Sequence, residues 1–208
     1  MVWRLYGTWC DPVQAPRLAA YPQHVMEHAS TSAGAMESLL QARAYKKELI
    51  LTVSDGNHLE PLFNLLLDFK DLKMEHTVVL MDRESSCDAV KQHMPDVGCV
   101  WSSYLVEEHP TPYWTPIVHL WLMRWLLFNS MVRRGYNVLI LDTDNSVRMD
   151  PYPILKSSMF KGFNQLVSYD EGIPEINCGI QYGQNISPDG PLAWITAEVV
   201  DRLLRCAR

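Results

Sequence analysis

Gly135-Tyr136-Asn137-Val138-Leu139-Ile140-Leu141-Asp142-Thr143-Asp144 joins an unbroken aliphatic run to two carboxylates. Such a run fits a strand covered on both faces, the kind that builds a parallel sheet in an α/β protein. The strand is expected over Asn137 to Leu141, ending directly in Asp142. If the chain stays extended through Thr143, both carboxylates point to one side. They would stand at the carboxyl end of a strand, where open α/β sheets bind ligands. Carboxylates this close repel each other unless something positive sits between them. A hard divalent cation, Mg²⁺ or Mn²⁺, suits their oxygens. Such an ion can hold a diphosphate and neutralise charge on it as it leaves. An isolated Asp-x-Asp is more often a plain strand-ending turn. Its place after this strand gives it weight.

Upstream, Pro116 to Arg134 reads as a helix, with Thr115 as N-cap and Pro116 at its first position. Arg133 and Arg134 occupy the last turn, and Gly135 is the residue that ends it. Trp121 and Trp125 share a face at i, i+4 spacing, the pattern of a core-facing stripe. Arg124 lies on the same helix; it could reach a phosphate, although such arginines more often pair with a carboxylate or reach solvent. The loop Glu107 to Thr115 offers Tyr113 and Trp114 as contact residues.

Earlier still, Leu49 to Val53 reads as a buried strand that stops at the turn cluster Ser54-Asp55-Gly56-Asn57. A helix over Leu59 to Phe69, a strand over Thr77 to Met81, a helix over Glu84 to His93 and a short strand over Cys99 to Ser103 follow. This alternation implies right-handed crossovers and a largely parallel sheet. Downstream, Leu166 to Tyr169 and Ile176 to Tyr182 read as strands, and Pro191 to Arg205 as a helix. Asp170-Glu171 reads as a solvated loop pair. Residues 1–44 are expected to be a poorly organised extension with at most one helix, near Ala35 to Ala44. The domain proper is placed at 45–208.

With 208 residues, 48% of them apolar and 20% charged, the chain suits one α/β domain with a sizeable core. A net charge of -6 argues against nucleic acid as a partner. An acidic protein handling a phosphorylated substrate would need a cation to bridge the charges. None of the five cysteines forms a CxxC pair, which argues against a zinc knuckle. A disulfide such as Cys87–Cys99 is open to the chain, and the redox compartment is not settled by the spacing. The apolar stretch Pro116 to Val132 contains His119, Arg124 and Asn129, so a buried helix is expected rather than a transmembrane segment. The first residues lack the basic-then-apolar pattern of a signal peptide.

The run Gly135 to Asp144, continuing to Asp150-Pro151, resembles the DxD region of the nucleotide-diphospho-sugar transferases of plants and algae, glycosyltransferases of the GT-A type. Leu51 to Asn57, followed by Leu62 to Leu67, is similar to that family's first strand, nucleotide-side turn and first helix. Ile176-Asn177-Cys178-Gly179-Ile180-Gln181-Tyr182 is similar to its later Asn-x-Gly strand. The resemblance implies a Rossmann-like three-layer sandwich with a mostly parallel mixed sheet. It implies transfer of a sugar from a nucleoside-diphosphate donor to a hydroxyl on a glycan or glycoprotein, usually with Mn²⁺. Asp142 and Asp144 would serve the metal and the diphosphate. Ser54, Asp55 and Asn57 would approach the nucleotide, and Asn177 and Gly179 would line the donor-sugar or acceptor side. Such enzymes usually work in the Golgi lumen behind an N-terminal anchor. Two features depart from the family. Asn145-Ser146-Val147 stands where an aromatic residue is common, and no late His-bearing segment follows, so a C-terminally incomplete domain is expected. His58, His76, His93, His109 and His119 all precede the Asp pair and read as surface or packing residues. No residue identifies itself as the catalytic base.

Two rival functions fit parts of the pattern. A phosphatase of the haloacid-dehalogenase type would use Asp142 as nucleophile and Asp144 as general acid. That fold usually carries its Asp-x-Asp at the first strand, whereas two or three strands come earlier here. The other is a non-catalytic nucleotide-sugar-binding module, a domain of the same fold that serves only to bind or scaffold, which the expected lack of the C-terminal segment favours.

Overall fold

The computed structural model of the chain describes residues 33–101, 116–169 and 176–206. Among them are six helices and six strands. In chain order they are α1 (Ala33–Arg43), β1 (Glu48–Ser54), α2 (Leu59–Asp71), β2 (Thr77–Met81), α3 (Glu84–His93) and β3 (Gly98–Trp101). Then come α4 (Pro116–Arg133), β4 (Asn137–Leu141), α5 (Tyr152–Leu155), β5 (Gln165–Tyr169), β6 (Ile176–Gly183) and α6 (Pro191–Cys206). The expected alternation is present. Tyr113, Trp114, His109, Asp170 and Glu171 lie outside the described residues, as does most of the expected N-terminal extension.

One mixed sheet holds all six strands in the order β3-β2-β1-β4-β6-β5. The first four are mutually parallel, with Ile50 opposite Thr77 and Leu51 opposite Ile140. β6 runs antiparallel to both β4 and β5. The central strands are aliphatic on both faces because helices cover both. Leu49, Leu51, Val78, Leu80, Val138 and Ile140 pack with residues of α1, α4 and α6. Their alternates Ile50, Val79, Met81, Leu139 and Leu141 pack with α2 and α3. This is the period-two alternation of a pleated strand acting on two separate cores. The result is a three-layer α/β/α arrangement compatible with a Rossmann-like sandwich. Met36 and Leu40 of α1 are buried in the first core, so packing begins before residue 45.

Local signals account for the element ends. Gly135 has a φ of 80°, and the Gly135 and Tyr136 N–H groups donate to the Val132 and Met131 carbonyls, ending α4 as expected. Trp121 departs from expectation. It is 41% exposed, while Trp125 packs against the core and on Phe128. The buried surface of α4 is carried by Leu122, Met123, Leu126, Leu127 and Phe128. Residues 121 and 125 do share a face, but it is the boundary face.

Two further ties hold the frame. Cys87 and Cys99 form a disulfide that joins α3 to β3. At the amino end of β1, buried Glu48 accepts from Lys156 Nζ (2.6 Å), Asn137 Nδ2 (2.7 Å) and Tyr182 OH (3.0 Å). That network pins α5, and with it the chain leaving the Asp pair. No helix among the described residues is long and apolar enough to cross a membrane.

Candidate functional site

The sheet reverses its winding between β1 and β4. From β1 the chain steps to β2 and β3 on one side; β4 lies on the other. A crevice opens outside the carboxyl ends of strands at such a point. Asp142 is the first residue past β4. There the chain does not stay extended, contrary to the geometry expected from the sequence. It turns at once, with the Asn145 N–H and the Asn145 side-chain amide both donating to the Asp142 carbonyl, at 3.2 and 2.9 Å. The short side chain of Asn145 supplies the second of these bonds, a local alternative to continued strand pairing. Asp142 and Asp144 therefore reach one cleft through a turn. That cleft is open, about 300 Å³ in volume, and is also lined by Asn145, Ser168, Asn177, Gly179 and Ile180.

The opposite wall is a bulge in β6. Val167 pairs with Gln181, yet the next residue, Ser168, pairs with Asn177, which leaves Cys178, Gly179 and Ile180 unmatched on the β5 side. Bulges of this kind re-aim backbone at functional sites. Toward β4 the bulge remains engaged: the Asp142 N–H donates to the Gly179 carbonyl at 2.8 Å. The Gly179 N–H donates to Asn177 Oδ1 at 2.6 Å. A Cβ at position 179 would stand 2.8 Å from that Oδ1 and 3.1 Å from Asp142 Oδ2. Glycine is required because the backbone lies against the carboxylate. Asn177 and Gly179 are thus brought together with the Asp pair.

Beneath the cleft sits Arg124 of α4, only 5% exposed. Its Nη1 donates to Asp142 Oδ1 at 2.5 Å, the pairing with a carboxylate expected of a helix arginine. A buried guanidinium needs such a partner. Burial pushes the Asp142 carboxyl above the usual carboxylate range; Arg124 pulls it down and Asp144 pushes it up. Burial also raises the Cys178 thiol, which feels both Arg124 and Asp142. Asp144 is exposed. Beyond it, Ser146 Oγ (3.0 Å) and the Val147 N–H (2.9 Å) donate to Asp68 Oδ2, which ties the outgoing chain to α2. Asp68 and Ser168 were not singled out from the sequence. Neither carries a local signal, since each acts through a long-range pairing.

Ser54, Asp55 and Asn57 stand at the same edge of the sheet but do not line this cleft. Asp55 Oδ1 accepts the Asn57 N–H at 2.8 Å and lies 2.7 Å from His58 Nδ1. Partial burial raises the Asp55 carboxyl, but the His58 bond and the Asn57 N–H outweigh it and hold the group below its ordinary value. Ser54 Oγ donates to the His58 carbonyl at 3.1 Å. The Gly56 N–H and Ser86 Oγ both reach Asp82 Oδ1, at 3.2 and 2.9 Å, so the turn leans toward β2 and α3.

Among the described residues no three His, Cys, Asp or Glu side chains are grouped to hold a metal ion. Among the described residues lining the cleft, two carboxylates, Asp142 and Asp144, would serve the ion. That suits an ion completed by waters and substrate phosphates, the way Mg²⁺ is commonly bound, and the donors are hard oxygens throughout. Fold and site together define an α/β protein with a paired-carboxylate cleft at the switch point of its sheet. No model of a known protein family matches the chain, and no curated protein does either.

Proposed function

We propose that this chain is a GT-A-type glycosyltransferase domain that moves a sugar from a nucleoside-diphosphate donor to a hydroxyl acceptor. The observation that carries the reading is the meeting of Asp142, Asp144, Asn177 and Gly179 in one open cleft at the carboxyl end of β4. Support also comes from the sequence resemblance around the Asp pair and from the parallel strands that precede it.

Asp142 and Asp144 would hold Mn²⁺ or Mg²⁺. The bound ion would supply charge neutralisation for the departing diphosphate. Asp142 is fixed from below by Arg124 and from the side by Gly179, so its second oxygen needs no reorganisation to meet a ligand. Ser168 and the Asn145 and Asn177 side chains provide polar groups for hydroxyls. The glycine backbone allows a ligand to approach closely. Ser54, Asp55 and Asn57 would act at the nucleotide end of the same edge, with Asn57 exposed for contact. An oxidising lumen such as the Golgi is supported by the Cys87–Cys99 disulfide.

A second reading, a binding module without turnover, is favoured by one observation. Among the described residues lining the cleft, only Asp142 and Asp144 are titratable, and both are assigned to the cation. The discriminating experiment is release of nucleoside diphosphate from a panel of nucleotide sugars with Mn²⁺. The transferase predicts release by the wild-type protein and none by Asp142→Asn or Asp144→Asn. Wild-type protein that binds the donors yet releases nothing, with or without acceptor sugars, would favour the binding module.

A further inference from the structure

We infer that Arg124 makes cation binding at Asp142 and Asp144 depend on the diphosphate, an inference that rests on the function proposed for this cleft. Asp142 and Asp144 bring two negative charges, and the Arg124 guanidinium brings one positive charge to Asp142 Oδ1 at 2.5 Å. A guanidinium stays protonated in proteins. Arg124 cannot step away into solvent either. Its side chain is 6% exposed, and it enters from a helix packed in the core. Among the described residues its buried Nε has no hydrogen-bond partner, and the ion pair with Asp142 holds the group.

A divalent ion arriving alone therefore meets one exposed carboxylate, held only by a 3.4 Å bond from Asn145 Nδ2, and one already paired with a fixed positive charge. A diphosphate changes that balance by bringing several negative charges of its own. Cation and diphosphate then favour each other's binding, and by linkage each strengthens the other equally. Arg124 reaches the cleft through Asp142, so it is a positioning and charge-balancing group. Its effect has a sign that a purely structural role lacks. Removing the charge should strengthen binding of the bare ion, whereas loosening the site should weaken binding of everything.

The test follows the free Mn²⁺ signal by electron paramagnetic resonance, with and without UDP, in wild type, Asp142→Asn, Arg124→Lys and Arg124→Met. Arg124→Met is expected to bind bare Mn²⁺ about tenfold tighter or more, because one unit charge beside a divalent ion matters even at high screening. Its gain from added UDP should shrink by a similar factor. Arg124→Lys, which keeps the charge, should stay near wild type. If Arg124→Met does not fold, Arg124→Gln carries the same test, since its amide can still donate to Asp142. Folded neutral variants that bind bare Mn²⁺ no tighter than wild type would overturn the inference while leaving the cleft's function intact. Wild-type protein that takes up no Mn²⁺ even with UDP, or Asp142→Asn that binds as wild type does, would remove both.

Discussion

Replacing Gly179 by alanine would place a methyl carbon 2.8 Å from Asn177 Oδ1 and 3.1 Å from Asp142 Oδ2. Neither oxygen can yield freely. Asn177 Oδ1 already accepts the Gly179 N–H at 2.6 Å, and Asp142 is held through its other oxygen by Arg124. Forcing a methyl into such a space costs about 1–3 kcal/mol. Alanine returns about 0.4–1 kcal/mol by restricting the unfolded chain. With both terms near mid-range the net loss is about 1.3 kcal/mol, or roughly 3–5 °C in Tm for a chain of this size. A displacement of Asp142 by a few tenths of an ångström should also weaken Mn²⁺-dependent UDP binding, by about tenfold. Thermal melts, urea titrations and calorimetry on the same variant measure all three. Gly162→Ala is the control: nothing lies within 4 Å of its added Cβ, so it should stay within about 0.5 kcal/mol of wild type. Gly179→Ala with wild-type stability and wild-type UDP binding would refute the close packing of glycine against the carboxylate.

Three other predictions concern the frame. Glu48→Ala leaves the Lys156, Asn137 and Tyr182 donors without their acceptor and should cost about 2–4 kcal/mol in urea unfolding, the lower end reflecting the half-exposed Lys156. Reduction of Cys87–Cys99, which closes a loop of sequence separation 12, should cost about 3 kcal/mol, read as a lower Tm in the presence of a phosphine reductant. His76 faces Tyr152 OH at 2.7 Å, with Glu48, Asp150 and Lys156 nearby, and burial lowers its pKa below 6.5. Its unfolded form binds a proton first on acidification. Its contribution is therefore complete above pH 6.5 and is lost as the pH falls through the folded value. Stability between pH 7.5 and 5.5 should decline less in His76→Gln than in wild type.

Much of the frame was legible because local pattern and packing agree. Val138 to Leu141 is aliphatic at every position, and both core clusters claim alternate residues of it. Gly135 announced the end of α4, and Cys87 and Cys99 stood at a distance that a disulfide could span. The site was legible only in part. Asp142 and Asp144 marked themselves, but their shared cleft comes from a turn made by Asn145 rather than from extended chain. The bulge at Cys178 to Ile180 is fixed by how β5 and β6 pair, Val167 with Gln181 and Ser168 with Asn177, and no single residue reports that register. Arg124 was visible on its helix, but its partner depends on how α4 lies over β4. The Ser54 to Asn57 turn looked equally well placed for a ligand. Its tilt toward Asp82 and Ser86 arises from contacts with α3 that its own sequence does not contain.

In the proposed transferase, Asp142 and Asp144 hold a divalent ion that in turn holds a nucleoside diphosphate. Calorimetric titration of UDP into the folded protein, with and without Mn²⁺, tests it most directly. The expected result is binding that requires Mn²⁺ and disappears in both Asp142→Asn and Asp144→Asn. UDP binding of equal strength without the ion, or undiminished in both variants, would contradict it.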